Sequence, residues 1–231
     1  MSSYIEKNLE DVKDALRLAE QAAGREGKTT LIAAVKYADD AELQELLSRG
    51  IGDVGENRVQ QLLAHLPVYE AYQPRIHFIG TLQKNKIKYI IDKVYAIHSV
   101  DTAELAAAIE KHAAAKNLTV RVFAEVNIAR EEAKSGALPE ELAALCRAIT
   151  ALPHLQLAGV MTMAPKCTRA SDYRAYFAEV RSLAADIWRE LELSGEPLLS
   201  MGMSESFAEA VAEGTDYVRV GRRFFTKEEQ K

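Results

Sequence analysis

Apolar residues along this chain follow two alternating rhythms. Short runs rich in β-branched and apolar residues read as eight strands: TTLIAAVK from Thr29, IGDVGEN from Ile51, RIHFIG from Arg75, KVYAIHSV from Lys93, TVRVFAEVN from Thr119, LQLAGVMTM from Leu155, PLLSMG from Pro197 and YVRVGRRFF from Tyr217. The segments between them, DDAELQELLSRG, RVQQLLAHL, KNKIKYII, DTAELAAAIEKHAAAKN, PEELAALCRAITAL, SDYRAYFAEVRSLAADIWRELEL and SESFAEAVAEG, repeat their apolar residues every three or four positions, the spacing of a helix face. The opening MSSYIEKNLEDVKDALRLAEQAAG carries the same helical spacing. Strand alternating with helix predicts a parallel sheet.

Eight such units either close into a barrel or lie open as a doubly wound sheet. The barrel is favoured because polar residues sit at the ends of many strands, namely Lys36, Glu56 and Asn57, His77, His98 and Ser99, Asn127, Thr162, Ser200 and Arg219. An open sheet would gather them at one crevice. The expected fold class is therefore α/β, a single (β/α)8 TIM barrel with an extra N-terminal helix. No linker divides the chain, so residues 1–231 are expected to form one domain, with the helix over 1–26 and the barrel over 29–225.

The first strand ends unusually. Leu31 to Val35 read as buried on both faces, yet the run stops at Lys36, a charge normally kept in water. SMGMSES from Ser200 and RVGRR from Arg219 follow the last two strands, where barrels often hold phosphate. Gly202 and Gly221 leave room for a ligand to approach backbone, and Ser204 is placed to cap the next helix. An unprotonated lysine amine condenses with an aldehyde, and a ligand carrying both an aldehyde and a phosphate is pyridoxal 5′-phosphate (PLP). A lysine whose stem merely covers the barrel rim is the alternative.

Composition narrows the setting. With 231 residues, 48% of them hydrophobic, the chain is long enough for a full core. A net charge of −5 argues against a nucleic-acid binder. Cys146 and Cys167 are too few for a disulfide framework, which points to a reducing, cytoplasmic setting. No signal-peptide h-region or membrane-spanning run is read. His65, His77, His98, His112 and His154 lack ligand spacing, so no metal is expected. Lys84, Lys86 and Lys88 read as a solvated helix face. Tyr173, Tyr176, Phe177 and Trp188 read as helix packing, and Met161 and Met163 as barrel filling. Lys134, in the loop after the fifth strand, is read either as a second PLP-accepting amine or as a surface charge.

Taken in order, AAVKY, DVGENRVQQL, HFIGTLQKNK, IHSVDTAELA, EVNIAREEAKSG, GVMTM, LSMGMSESFAEAVAEGTDYVRVG and RRFF resemble the successive motifs of the PLP homeostasis protein family, also called the YggS-type or proline synthase co-transcribed family. The resemblance runs from Thr30 to Phe225. It implies a barrel similar to the N-terminal domain of alanine racemase, which stores, buffers or delivers PLP to PLP-dependent apoenzymes without established turnover. By that resemblance Lys36 is the Schiff-base lysine, with Asn57 and His77 around the cofactor. Ser200, Met201, Gly202 and Ser204 resemble one side of the phosphate site and Gly221 and Arg222 the other, while Arg219 resembles the arginine facing the pyridine nitrogen. Val35, Tyr37, Thr81, Lys84, Arg222 and Thr226 depart from the family pattern. A PLP-dependent amino-acid racemase is the alternative. It ranks second because the alanine racemases draw a second base from an added β domain, which also makes a monomer the expectation here. A lysine-dependent, phosphate-binding aldolase is a third reading.

Overall fold

The computed structural model describes residues 3–227; Met1, Ser2 and residues 228–231, the outer ends of the expected domain, lie outside it. Eight parallel strands form a closed barrel: β1 (Thr30–Ala34), β2 (Asp53–Glu56), β3 (Arg75–Phe78), β4 (Ala96–Val100), β5 (Val120–Val126), β6 (Leu155–Thr162), β7 (Leu198–Met203) and β8 (Tyr217–Val220). Each pairs with the next, and β8 closes on β1 with Thr30 beside Tyr217 and Ile32 beside Arg219. The TIM-barrel class is as expected.

Two of the expected elements differ. The eighth strand stops at Val220, and Arg222–Phe225 form a single helical turn, α8, in which Phe224 N–H donates to the Gly221 carbonyl at 2.9 Å. After β3, Lys84–Tyr89 wind as a 3-10 helix rather than an α-helix. The remaining helices are α1 (Tyr4–Ala23), α2 (Asp40–Ser48), α3 (Val59–Tyr72), α4 (Ala103–Ala115), α5 (Leu142–Thr150), α6 (Ala170–Glu190) and α7 (Phe207–Ala212).

The N-terminal helix is a working part of the outer ring. Ile5, Leu9, Val12 and Leu16 form one buried stripe at three- and four-residue spacing. The helix packs against α7 and α8 on one side and α2 on the other, the place that a four-residue α8 leaves open. Ser3 accepts from Glu6 N–H at its start, and Gly24, with φ +62°, ends it in the left-handed region that glycine tolerates. Asn8 Nδ2 donates to the carbonyls of Phe224 and Thr226, each at 3.0 Å, while Glu20 accepts from the amides of Gly27 and Thr29, which leads the chain into β1.

Two apolar cores result. The larger lies between sheet and helices, and the smaller fills the barrel with Ile32, Ala96, Phe123, Met161 and Tyr217. Side chains alternate across a strand, so residues two apart share a face. Ile32 inside the barrel therefore puts Ala34 and Lys36 on the inward side as the chain leaves β1. The same alternation carries Phe123 to Glu125 and Tyr217 to Arg219.

Candidate functional site

The C-terminal mouth of the barrel holds the residues that the alternation delivers. One cavity of about 430 Å³ is lined by Lys36, Asn57, Lys134, Ser204, Arg219 and Gly221, among others. A second of about 630 Å³ shares Lys36, Asn57 and Met163 with it and adds Thr81 and Glu125. Together they form a single polar mouth. A groove of about 660 Å³ adjoins it between α1 and the α7–α8 corner, sharing Ser204, Glu205 and Arg222 with the first cavity but not Lys36, Asn57 or Arg219.

Lys36 does not end a buried strand. β1 closes at Ala34, and Lys36 is exposed in the following turn, with Nζ 4.8 Å from the centroid of the Tyr37 ring. Val35 explains the misreading, because it is wholly buried on the outer face and extends the apolar run past the strand. Asn57, just beyond the neighbouring strand β2, lines the same cavity, and its Oδ1 is buried without a hydrogen-bond partner among the described residues. A polar atom left in that state costs on the order of 1–3 kcal/mol unless something fills the cavity beside it.

The loops after β7 and β8 are stitched together. Gly221 N–H donates to Ser204 Oγ at 3.4 Å, so Ser204 bridges the loops instead of capping α7. Ser206 holds the position before that helix, and its Oγ accepts from Met203 N–H at 3.2 Å. Gly202 has φ +91°, and an added Cβ would lie 2.6 Å from Ala210 Cβ and 3.0 Å from Phe207 Cα. The absence of a side chain there lets α7 close on the strand. Met201 points the other way and is wholly buried in the outer core. Arg222 is exposed and pairs with Glu205 at 2.7 Å across the two loops.

His77 and Ser200 lie beneath the mouth rather than on its wall. Arg219 Nη1 donates to Ser200 Oγ at 2.6 Å and Nη2 to the Thr162 carbonyl at 2.8 Å. Ser200 Oγ lies 2.9 Å from His98 Nδ1, His98 Nε2 lies 2.9 Å from His77 Nδ1, and His77 Nε2 lies 2.8 Å from Asp53 Oδ1. With both histidines neutral, one arrangement satisfies every contact: each group donates toward Asp53, beginning at Arg219. The charges support it. Burial holds His77 and His98 below the usual imidazole range, His98 well below, with the Arg219 charge adding to that effect. Burial would raise Asp53, yet the hydrogen bonds from His77 and Arg75 and the charge of Arg75 outweigh it and hold the carboxyl low. Burial lowers Arg219 to about 10, against the opposing pull of Glu125, so the guanidinium remains a cation at neutral pH.

Several other strand-end polar groups prove structural. Glu56 faces outward and accepts from Tyr69 Oη and from His65 Nδ1 on α3. Asn127 exchanges hydrogen bonds with the backbone of Glu131 and so orders the loop that carries Lys134, itself ion-paired to Glu131. Tyr173, read as helix packing, also lines the cavity, and its hydroxyl accepts from Cys167 N–H at 3.1 Å. Asp53 and Glu125 escaped the sequence reading. The period-two placement of Glu125 beyond Phe123 was the available signal.

A parallel barrel whose C-terminal mouth joins a lysine to glycine-bearing loops on its last two strands is the architecture of a phosphate-ligand barrel. Residues 8–226 match the family model of the alanine racemase N-terminal domain. The pyridoxal phosphate homeostasis protein of Aquifex aeolicus is 37% identical, covering 95% of this chain and 96% of its own, and that of Pseudomonas aeruginosa is 36% identical, covering 96% and 95%. The solved structure of PipY from Synechococcus elongatus with PLP bound superposes with a TM-score of 0.81 at 30% identity, covering 92% of this chain and 99% of that one. The chain belongs to the pyridoxal phosphate homeostasis proteins, within the alanine racemase N-terminal-domain family.

Proposed function

We propose that this protein binds pyridoxal 5′-phosphate through Lys36 and serves PLP homeostasis by storing, buffering or delivering the cofactor. The observation that carries the reading is the convergence of Lys36, Asn57, Arg219 and the Ser204–Gly221 junction on one cavity of about 430 Å³. The residues suit the group. Asn57 Oδ1 lacks a partner, and the Ser204–Gly221 junction places small side chains and backbone amides where an anion would lie.

When bound, PLP supplies an electrophilic aldehyde and an electron-withdrawing ring. Lys36 supplies the amine, and its exposed position leaves the nitrogen open to an incoming carbonyl. Arg219 presents a fixed cation from the cavity floor, which disfavours a proton on any ring nitrogen facing it. Arg222 adds a movable positive charge at the phosphate end. His77, Ser200, Met201 and Gly202 act from below or behind, by fixing Arg219 and the two loops. In this reading the protein works as a cytoplasmic monomer, and PLP-dependent apoenzymes receive the cofactor. Among the described residues no helix is long and apolar enough to cross a membrane.

Purified protein should be yellow, bleach with borohydride and carry the reduced cofactor on Lys36. A colourless protein that ignores added PLP, or trapping unaffected by Lys36→Ala, refutes the assignment.

A further inference from the structure

Glu125 belongs to none of the hydrogen-bonded groups described above. It lies two residues beyond Phe123 on β5, faces the mouth from inside the barrel and is 2% exposed. Its backbone carbonyl accepts from Ala137 N–H at 2.9 Å; among the described residues no hydrogen-bond donor holds its carboxyl, though the Arg219 charge acts on it. The side chain lines the cavity that also holds Lys36, Asn57 and Thr81. Burying a carboxyl costs stability, and a leucine or glutamine would fill the same space. The fold does not account for it.

Its surroundings are specific. Lys36 from the β1 turn and Arg58 from the β2 turn line the same cavity. Asp101, beyond β4, and Arg219, on β8, act on it through their charges, although Arg219 is committed to Ser200 and Thr162. His98 on β4 is stacked on Phe123 with ring centroids 4.2 Å apart, and burial keeps it neutral. Lys134 is paired to Glu131. Burial first, then Asp101, pushes the Glu125 carboxyl up to about 7 against the pull of Arg219. Acid and conjugate base are therefore both populated at neutral pH, the condition under which a proton-transfer group is most effective.

We propose that Glu125 is the proton donor and acceptor for reversible carbonyl condensation at the Lys36 nitrogen. The inference rests on reading Lys36 as the aldehyde-capturing amine. The nitrogen lone pair forms the C–N bond while the carbonyl π pair moves to oxygen. The nitrogen gives up both its protons, and the oxygen gains two and leaves as water. Glu125 delivers one proton to the departing oxygen and recovers one from nitrogen, so it ends unchanged. One amine and one aldehyde give one C=N bond and one water, with no oxidant or reductant. Release of the aldehyde is the same path reversed.

The test is rapid mixing of PLP-free protein with PLP, followed by absorbance, and the reverse experiment with an amine competitor. General acid–base groups contribute on the order of 10²–10⁴-fold, and water competes at an exposed lysine, so Glu125→Gln should slow capture and release by about 10–100-fold. The equilibrium constant should stay within about twofold, because a catalyst moves both rates equally. A purely structural or electrostatic role would shift the equilibrium constant instead, and that result overturns the inference. The wild-type capture rate should also show an inflection near pH 7 that Glu125→Gln lacks, a measurement that does not need the variant to establish the limb. Unchanged rates in Glu125→Gln overturn the inference while leaving Lys36 capture standing. Failure of the wild type to capture PLP removes both.

Discussion

Arg219 and Ser200 meet at 2.6 Å inside the barrel, the guanidinium donating to a hydroxyl that is itself wholly buried. That contact links the floor of the mouth to a line of neutral histidines ending at Asp53. It makes the direction of one arginine depend on residues from four other strands.

Ser200→Ala removes the Arg219 acceptor and the His98 donor together. Unsatisfied buried groups of this kind cost on the order of 1–3 kcal/mol, more where one is charged. The urea midpoint should fall accordingly and PLP should bind more weakly. An unchanged midpoint would mean that water replaces the hydroxyl without loss.

Glu125 should make the protein less stable as pH rises. Its folded pKa is raised from 4.5 to about 7, so its favourable contribution is complete below pH 4.5 and is lost as pH climbs through 7. Glu125→Gln should therefore match the wild type near pH 4.5 and exceed it at pH 8 by on the order of 2–3 kcal/mol. Urea unfolding at the two pH values measures the difference, and a gap independent of pH would contradict it.

His77, His98 and Asp53 carry the opposite sign. Their folded pKa values are depressed, so the unfolded chain binds protons first, from about 6.5 downward for the histidines and below 3.8 for Asp53. In the Glu125→Gln background, where the opposing group is absent, stability should fall steadily from pH 7 toward pH 4. Thermal melts across that range read it directly.

Arg222 and Glu205 are both more than half exposed, so their ion pair adds little stability, roughly 0–1 kcal/mol. Glu205→Gln frees the guanidinium and should tighten PLP a few-fold, whereas Arg222→Ser should weaken it by about 3–10-fold at low salt. Pyridoxal, which has no phosphate, should respond to neither change. Equal effects on both ligands would place Arg222 away from the phosphate.

Much of the fold was legible because its signals are local. The unbroken apolar run LIAAV and the β-branched VRVFAEV mark strands, and the Ile5–Leu16 stripe marks a helix, without reference to anything distant. Lys36, Asn57, Ser204, Arg219, Gly221 and Arg222 reach the mouth because strand ends of a parallel barrel converge there. His77 and Ser200 were legible as important but not as buried. Their distance from the mouth depends on how far each strand slides along its neighbour, and no single segment records that register. The packing of Met201 and Gly202 was not legible for a related reason: in SMGMSES, facing a ligand and facing α7 look alike.

What the residues determined alone was the order of strands and helices and the chemical types at each strand end, with the relative facing of neighbouring side chains fixed by backbone periodicity of two or 3.6 residues. The tertiary structure decided which inward groups meet: that Asp53, His77, His98, Ser200 and Arg219 form one hydrogen-bonded line, that α1 takes the eighth place in the ring, and that Glu125 shares a cavity with Lys36. Those outcomes depend on closure of the sheet, which brings residues far apart in sequence within hydrogen-bonding distance and removes them from water.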